Sequence, residues 1–372
     1  MANIHISLVG GQAYPVYLGI MDQKPDKVIL VCSPQSKEIG ERVAAYIPQG
    51  VEYLELDPVN LQDIYDEVHT LADRLSPDDA CTINISGGTK LWSIVFYDCF
   101  RGKANAWFMY VDQNCYIYNL NTRECRFSEV SLDTDTLLKL NGSDVKSYIP
   151  FEDYTDEDIE VLQKIKKLFK SNYRSYSALS VVQNGNILNQ PKGELEINGN
   201  SVSWDKPKGT VTLSVYGRKW KTDTELVSPH AFHLFFNTGW FEYDMARRLA
   251  QWKHSLEVRT NVVFAYKERA PKNEIDIIVN TGYRLLFVEC KTQIYNITDI
   301  DKFRSAVKNY GGMASKALFV VNGPLKDTVR EKCKDNGVLC FSLEDMKRND
   351  NQPIEKTLFA LLDDELYQIN KG

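Results

Sequence analysis

Glu274-Ile275-Asp276-Ile277-Ile278-Val279, Asn280-Thr281-Gly282-Tyr283 and Leu285-Leu286-Phe287-Val288-Glu289-Cys290-Lys291 read as a strand, a turn and a second strand. The first run is apolar except for its carboxylates, and the second is a continuous hydrophobic run ending in a carboxylate and an amine. Asn, Thr and Gly between them are turn residues. Side chains two apart on a strand share a face, so Glu289 and Lys291 point the same way. If Asn280 pairs with Tyr283, Asp276 lies opposite Phe287 and diagonal to Glu289 on that face. Diagonal neighbours are roughly 7–8 Å apart at the backbone, close enough for two carboxylates to hold one divalent cation. A three-residue loop would reverse the parity and separate them.

A strand-end salt bridge is the plain alternative for any Glu-x-Lys. Against it stands Asp276 inside an apolar strand, where an unpaired charge is costly. Glu289 likewise closes a run with the pattern of a fully buried strand. The spacing Asp276-(x12)-Glu289-x-Lys291 resembles the PD-(D/E)xK nuclease motif. That motif usually has an acidic residue on a preceding helix, and Glu242 in Gly239-Trp240-Phe241-Glu242-Tyr243-Asp244 fits the first turn of one.

With 372 residues the chain exceeds one typical core, so two domains and a small connecting module are expected. The longest apolar runs are strand-sized, which excludes a membrane-spanning helix. The N-terminus enters a strand pattern directly, without a signal-peptide layout, so a cytoplasmic location is expected. The eight cysteines lack CxxC spacing and read as reduced thiols. The five histidines are not paired at ligand spacing, which argues against a His-based metal centre. A net charge of −6 is unusual for a protein that grips duplex DNA over a wide basic face. Residues 1–150 hold 12 basic against 20 acidic residues, and the remainder 32 against 30, so any nucleic-acid contact is local to the C-terminal part.

Strands and helices alternate over residues 1–130, which predicts a doubly wound, mainly parallel α/β sheet ending in a hairpin of Ala106–Tyr110 with Tyr116–Leu120. Such sheets bind ligands beyond the carboxyl ends of their strands. The loops falling there are Gly10-Gly11-Gln12, Ser33-Pro34-Gln35-Ser36 and Ser86-Gly87-Gly88-Thr89-Lys90. The third opens a helix, so its amides can receive an anion, with glycines allowing close approach. A Thr-capped strand-to-helix turn without ligand is the alternative on spacing alone, since neither GxxxxGK[ST] nor GxGxxG is present.

Asn84-Ile85-Ser86-Gly87-Gly88-Thr89-Lys90, following a strand of such a domain, is similar to the signature of CARF domains, the cyclic-oligoadenylate sensors of type III CRISPR systems. Joined to a C-terminal Asp…Glu-x-Lys domain, the chain resembles CRISPR-associated ancillary nucleases with a CARF sensor and a restriction-endonuclease-like effector. The resemblance implies a homodimer holding one cyclic oligoadenylate, expected to be cyclic tetra-adenylate, across its two-fold axis. The implied contacts are Gly10, Gly11, Gln12, Ser33, Gln35, Ser36, Ser86, Gly87, Gly88, Thr89 and Lys90. The Ser86–Lys90 segment carries the match, and the two earlier loops are assigned by position.

The expected domains are 1–145 (sensor), 146–228 (linker helix and small β connector) and 229–372 (nuclease). Asp144 to Asp158 reads as a linker, followed by a helix to about Ser171 with acids early and lysines late. In the connector, Lys206, Lys208, Arg218, Lys219 and Lys221 with Trp204, Tyr216 and Trp220 suggest a single-strand clamp, or else a solvated hairpin. In the effector, Asp276, Glu289, the Cys290 backbone carbonyl and Glu242 would hold Mn²⁺ or Mg²⁺. Lys291 would hold or deprotonate the attacking water. Gln293 is a possible contact, and Tyr310 and Lys316 read as packing and surface residues. The expected activity is activator-dependent cleavage of DNA, RNA or both, single strands favoured. An activator-independent restriction or repair nuclease and a non-cleaving regulator are the alternatives.

Overall fold

The computed structural model describes residues 1–182, 185–216, 221–268, 270, 272–293, 297–312, 315–345 and 353–367. The chain forms two compact units. Unit 1 comprises Met1–Asp144, Gly282–Leu285 and Val307–Ser315; unit 2 comprises Val145–Thr281, Leu286–Ala306 and Lys316–Gly372.

Unit 1 runs β1 (Asn3–Leu8), α1 (Tyr14–Gln23), β2 (Lys27–Cys32), α2 (Lys37–Ala44), β3 (Val51–Glu55), α3 (Leu61–Arg74), β4 (Ala80–Asn84), α4 (Lys90–Phe100), β5 (Ala106–Val111), β6 (Tyr116–Asn119), β7 (Glu124–Phe127) and α5 (Thr134–Leu140). The sheet order is β3-β2-β1-β4-β5-β6-β7. The first five strands are parallel, and β6 and β7 add an antiparallel edge. The expected terminal hairpin is therefore a three-stranded meander. Central strands buried on both faces need continuous apolar runs, and Lys27-Val28-Ile29-Leu30-Val31-Cys32 is buried after its first residue. Helix α3 turns Ile64, Val68 and Leu71 into the core, one apolar stripe at helical spacing.

Unit 2 contains β8 (Val145–Pro150), α6 (Asp156–Ser171), α7 (Tyr173–Ser180), β9 (Lys192–Ile197), β10 (Asn200–Asp205), β11 (Thr210–Tyr216), β12 (Lys221–Val227), α8 (Ala231–Phe235), α9 (Gly239–Leu249), β13 (Glu257–Phe264), β14 (Glu274–Asn280), β15 (Leu285–Lys291), α10 (Thr298–Gly311), β16 (Lys316–Val321), α11 (Asp327–Asp335), β17 (Leu339–Ser342) and α12 (Ile354–Tyr367). Leu285 and the end of α10 fall in the segments assigned to unit 1. Strands β9 to β12 form a four-stranded antiparallel sheet, and the larger sheet has the order β17-β16-β15-β14-β13-β8. Two sequence expectations change here. Residues 145–150, read as linker, are an edge strand paired with β13. The turn between β14 and β15 is Thr281 to Arg284 rather than Asn280 to Tyr283, with Gly282 at φ 84°. Its even residue count keeps the two strands in the expected parity.

Helix α6 begins where the acidic run predicts. Thr155 and Asp158 form a reciprocal capping box, with three acids in the first turn and Lys170 in the last. Its buried positions Val161, Leu162 and Ile165 join a core with Phe241, Met245, Ile277, Val279, Leu286, Val288 and Cys290.

Candidate active site and ligand loops

That core decides the orientation of the carboxylates. Since Ile277, Val279, Leu286, Val288 and Cys290 enter it, the alternate residues Asp276, Glu289 and Lys291 turn to the other face. Lys291 Nζ lies 2.7 Å from Glu289 Oε1. Asp276 Oδ2 accepts from the Cys290 backbone N–H at 2.7 Å. Asp276 and Glu289 are only 8% and 3% exposed, in contrast to an ordinary surface ion pair.

A residue that the sequence did not single out completes the centre: Lys272, just before β14, places Nζ 2.5 Å from Glu289 Oε2. Glu289 is thus gripped by two ammonium groups. Burial opposes its charge, but Lys272 and Lys291 prevail and lower its pKa. Asp276 is pushed up to about 6 by burial and by the Glu289 charge. Glu242, half-buried in the first turn of α9, is raised well above the carboxylate range by burial, then by Asp276, Glu274 and Glu289. Burial works against the Lys291 charge, yet Asp276, Glu289 and Glu242 outweigh it and raise its pKa, so it is an ammonium at neutral pH.

A left-handed residue flanks the site in β13. Thr260 pairs with Ile277 and Val262 with Ile275, so Asn261, at φ 51°, falls level with Asp276. Such a break in strand geometry re-aims neighbouring side chains and recurs beside functional sites.

Among the described residues no three His, Cys, Asp or Glu side chains already stand as a metal-holding cluster. The donor chemistry nevertheless fits a hard divalent cation. The Glu289 charge raises the pKa of Asp276, and both raise that of Glu242, a gathering of carboxylates of the kind that a hard divalent cation takes. Tyr310 is fully buried, and Lys316 opens β16. Gln293 is exposed just beyond β15.

In unit 1, β1 lies between β2 and β4, so the strand order reverses between β1 and β4, where open α/β sheets bind ligands. Gly10 and Gly87–Gly88 meet at that point. A methyl on Gly10 would come 2.8 Å from the Gly88 nitrogen, and one on Gly87 2.3 Å from the Leu8 oxygen. Gly88 has φ 72°. Thr89 caps α4, accepting from the Trp92 amide at 3.1 Å, and Lys90 is exposed in its first turn.

The other assigned residues divide. Gly11 faces open space, Gln35 is exposed and Gln12 half-buried. Ser33 and Ser36 are each 7% exposed and bond each other's backbones: the Ser33 amide donates to Ser36 Oγ at 3.0 Å and the Ser36 amide to Ser33 Oγ at 3.3 Å. Ser86 Oγ donates to Asn84 Oδ1 and accepts from the Val111 amide at 2.6 Å. These three hydroxyls shape the loops. A cavity of roughly 690 Å³ lies elsewhere in this unit, along β5 to β7 beside Trp107 and Tyr118.

Most of the described residues of the suggested single-strand clamp are engaged within the connector. Trp204 is a core residue whose Nε1 donates to the Gln190 carbonyl at 3.1 Å. Lys206 sits over the Phe232 ring at 4.2 Å. Lys208 lies 4.0 Å from Asp205, while Lys221 bonds Asp223 at 3.0 Å beside the exposed Tyr216. Arg218, Lys219 and Trp220 lie outside the described residues.

A CARF-like Rossmann-type N-terminal unit within a mixed α/β chain is the class that this architecture defines. Residues 4–133 match the family model of the Card1 CARF domain. Comparison with curated proteins finds no match. Among solved structures, the fold is similar to Can2 from Sulfobacillus thermosulfidooxidans, solved in complex with cyclic tetra-adenylate: TM-score 0.67, 18% identity, 98% of this chain and 99% of that one covered. It is also similar to protein VC1899 from Vibrio cholerae, with TM-score 0.74 and 15% identity over 98% of each chain. A third similar structure is a type III CRISPR defence DNA nuclease activated by cyclic oligoadenylate, with TM-score 0.57 and 16% identity. That match covers 94% of this chain and 52% of the other. Among the described residues, no helix is long and apolar enough to cross a membrane.

Proposed function

We propose that this chain is a metal-dependent endonuclease of type III CRISPR defence, activated by a cyclic oligoadenylate and cutting DNA or RNA, with single strands favoured. The observation that carries the reading is the convergence of Asp276, Glu289 and Lys291 on one face, two buried carboxylates and an amine at 2.7 Å. The Card1 CARF match and the likeness to Can2 support the sensing half, with cyclic tetra-adenylate as the ring; the binding form in this reading is a homodimer.

Asp276, Glu289, the Cys290 carbonyl and Glu242 are the residues that would hold Mn²⁺ or Mg²⁺ at this restriction-endonuclease-like centre. Bound there, the ion supplies an acidified water and neutralises charge on the phosphoryl oxygens. Lys291, kept protonated by its carboxylate neighbours, holds the attacking water or a phosphate oxygen. Lys272 balances the second oxygen of Glu289. In the sensor, the Gly10 and Gly87–Gly88 backbones let a phosphate approach, and the α4 N-terminus with Lys90 receives its charge. Exchange between dimer arrangements biased by the ligand would couple the halves.

Plasmid and labelled RNA are incubated with Mn²⁺, with and without cyclic tetra-adenylate. Cleavage that appears only with the activator is expected. Cleavage regardless of activator would favour a repair-type nuclease, and none under any ring would favour a non-cleaving regulator.

A further inference from the structure

Two grooves in unit 2 share a wall, and one of them is lined by Thr292 and Gln293, the residues that follow Lys291 in the chain. That groove, roughly 490 Å³, is also lined by Asn322, Phe169, Lys170 and Tyr173. It starts beside Lys291, whose carbonyl accepts from the Asn322 amide at 3.0 Å. The second, roughly 830 Å³, continues along α6; Phe169, Lys170, Asn322 and Glu344 line both.

Their charge runs against that of the chain. Lys166, Lys167, Lys170 and Arg248 face Asp244 and Glu344, four cations against two carboxylates, in a protein of net charge −6. Lys166 and Arg248 are already engaged, 2.7 Å and 3.4 Å from Asp244. Lys167 and Lys170 are exposed, and the ion pairs found among the described residues include neither. They stand one helical turn apart on α6. Tyr173, 36% exposed, meets Phe169 edge-on at 5.2 Å between ring centres. Ammonium groups spaced along a groove beside an accessible ring match the layout by which proteins track single strands, with phosphates on cations and bases on rings. An acidic peptide would use the lysines but leave the ring without purpose.

We propose that this groove is the track of a single-stranded polynucleotide passing the centre, with Lys167 and Lys170 holding phosphates and Tyr173 stacking a base. The direction of the track rests on the nuclease reading; its existence does not.

The test is fluorescence anisotropy of labelled oligothymidylate and oligouridylate in chelator, so that neither is cut, across a salt series with and without cyclic tetra-adenylate. In Lys167→Gln and Lys170→Gln, the slope of log affinity against log salt should fall by about 0.7 per lysine. Tyr173→Leu should weaken binding roughly tenfold with the slope unchanged. The two arms tell DNA from RNA. In parallel, a bromouracil-substituted strand should photocross-link to the peptide carrying Phe169 and Tyr173 of the wild-type protein, a result independent of whether a variant folds. Unchanged slopes, cross-links elsewhere, or tighter capture of a labelled polyglutamate peptide would each overturn the proposal. Loss of slope in a protein that cuts nothing with Mn²⁺ would keep the track and refute hydrolysis, whereas cleavage with unaltered slopes would do the reverse.

Discussion

The backbone amide of Cys290 donates to Asp276 Oδ2 at 2.7 Å, tying β14 to β15 at the point where Glu289 and Lys291 emerge. The two strands thus fix their acidic side chains through the main chain as well as through packing. With both oxygens of Glu289 on lysines, that carboxylate is paired before any ion arrives, while Asp276 and Glu242 carry the charge left over.

Chelation should therefore abolish cleavage without unfolding the protein. The expected change in melting temperature on adding EDTA is under about 2 °C, because Glu289 keeps both lysines and Asp276 the Cys290 amide when the ion leaves. Glu289→Ala and Lys291→Ala should each lower cleavage at least ~100-fold while leaving cyclic tetra-adenylate binding by calorimetry intact. Full activity in either variant would remove the hydrolytic assignment.

The glycines of the candidate ligand loops separate into those without room and one with ample room. Gly87→Ala forces a methyl to 2.3 Å from the Leu8 carbonyl and should cost about 2 kcal/mol, read by urea unfolding, together with loss of activator binding. Gly11→Ala meets nothing within 4 Å and should stay within about 0.5 kcal/mol of wild type. Equal effects at the two positions would contradict the crossover geometry.

Asn261 holds φ 51° in β13, level with Asp276. Asn261→Val should destabilise unit 2 by about 1–2 kcal/mol, since a branched side chain resists the left-handed region, whereas Asn261→Gly should be near neutral. Differential scanning calorimetry distinguishes them, and a well-tolerated valine would show that the break in β13 is not required.

His5 in β1 is fully buried with Nε2 3.0 Å from Ser7 Oγ. Burial lowers its pKa to about 3. The folded form thus resists the proton that the unfolded chain accepts near pH 6.5. Its contribution is complete above that pH and is lost progressively as pH falls toward 3. Between pH 6.5 and 5 the loss should be about 2 kcal/mol, seen as a falling urea midpoint that flattens in His5→Gln. An identical slope in the variant would place the acid sensitivity elsewhere.

Elements with strong local patterns were legible from residues alone. The Asp276-(x12)-Glu289-x-Lys291 spacing, the α6 boundaries and the Gly87-Gly88-Thr89 turn each combine periodicity with a turn or cap. What escaped depends on tertiary contact. Val145–Pro150 looked like linker because its acidic neighbours and Pro150 argue against a strand, yet an edge position tolerates proline. Lys272 carries no signal, since nothing in the residues before β14 announces that an amine will reach Glu289. Ser33, Ser36 and Ser86 lie in the loops read as ligand-facing, and their hydroxyls bond within those loops and to the adjoining strands, a local pairing that residue type alone does not reveal.

The interlocked Gly10 and Gly87 backbones leave natural variation little to work with at the bottom of the recognition end. If the proposed function holds, divergent relatives would retune which ring they accept through Gly11, Gln12, Gln35 and Lys90 around the rim, where a new side chain can be tried without jamming two strands together.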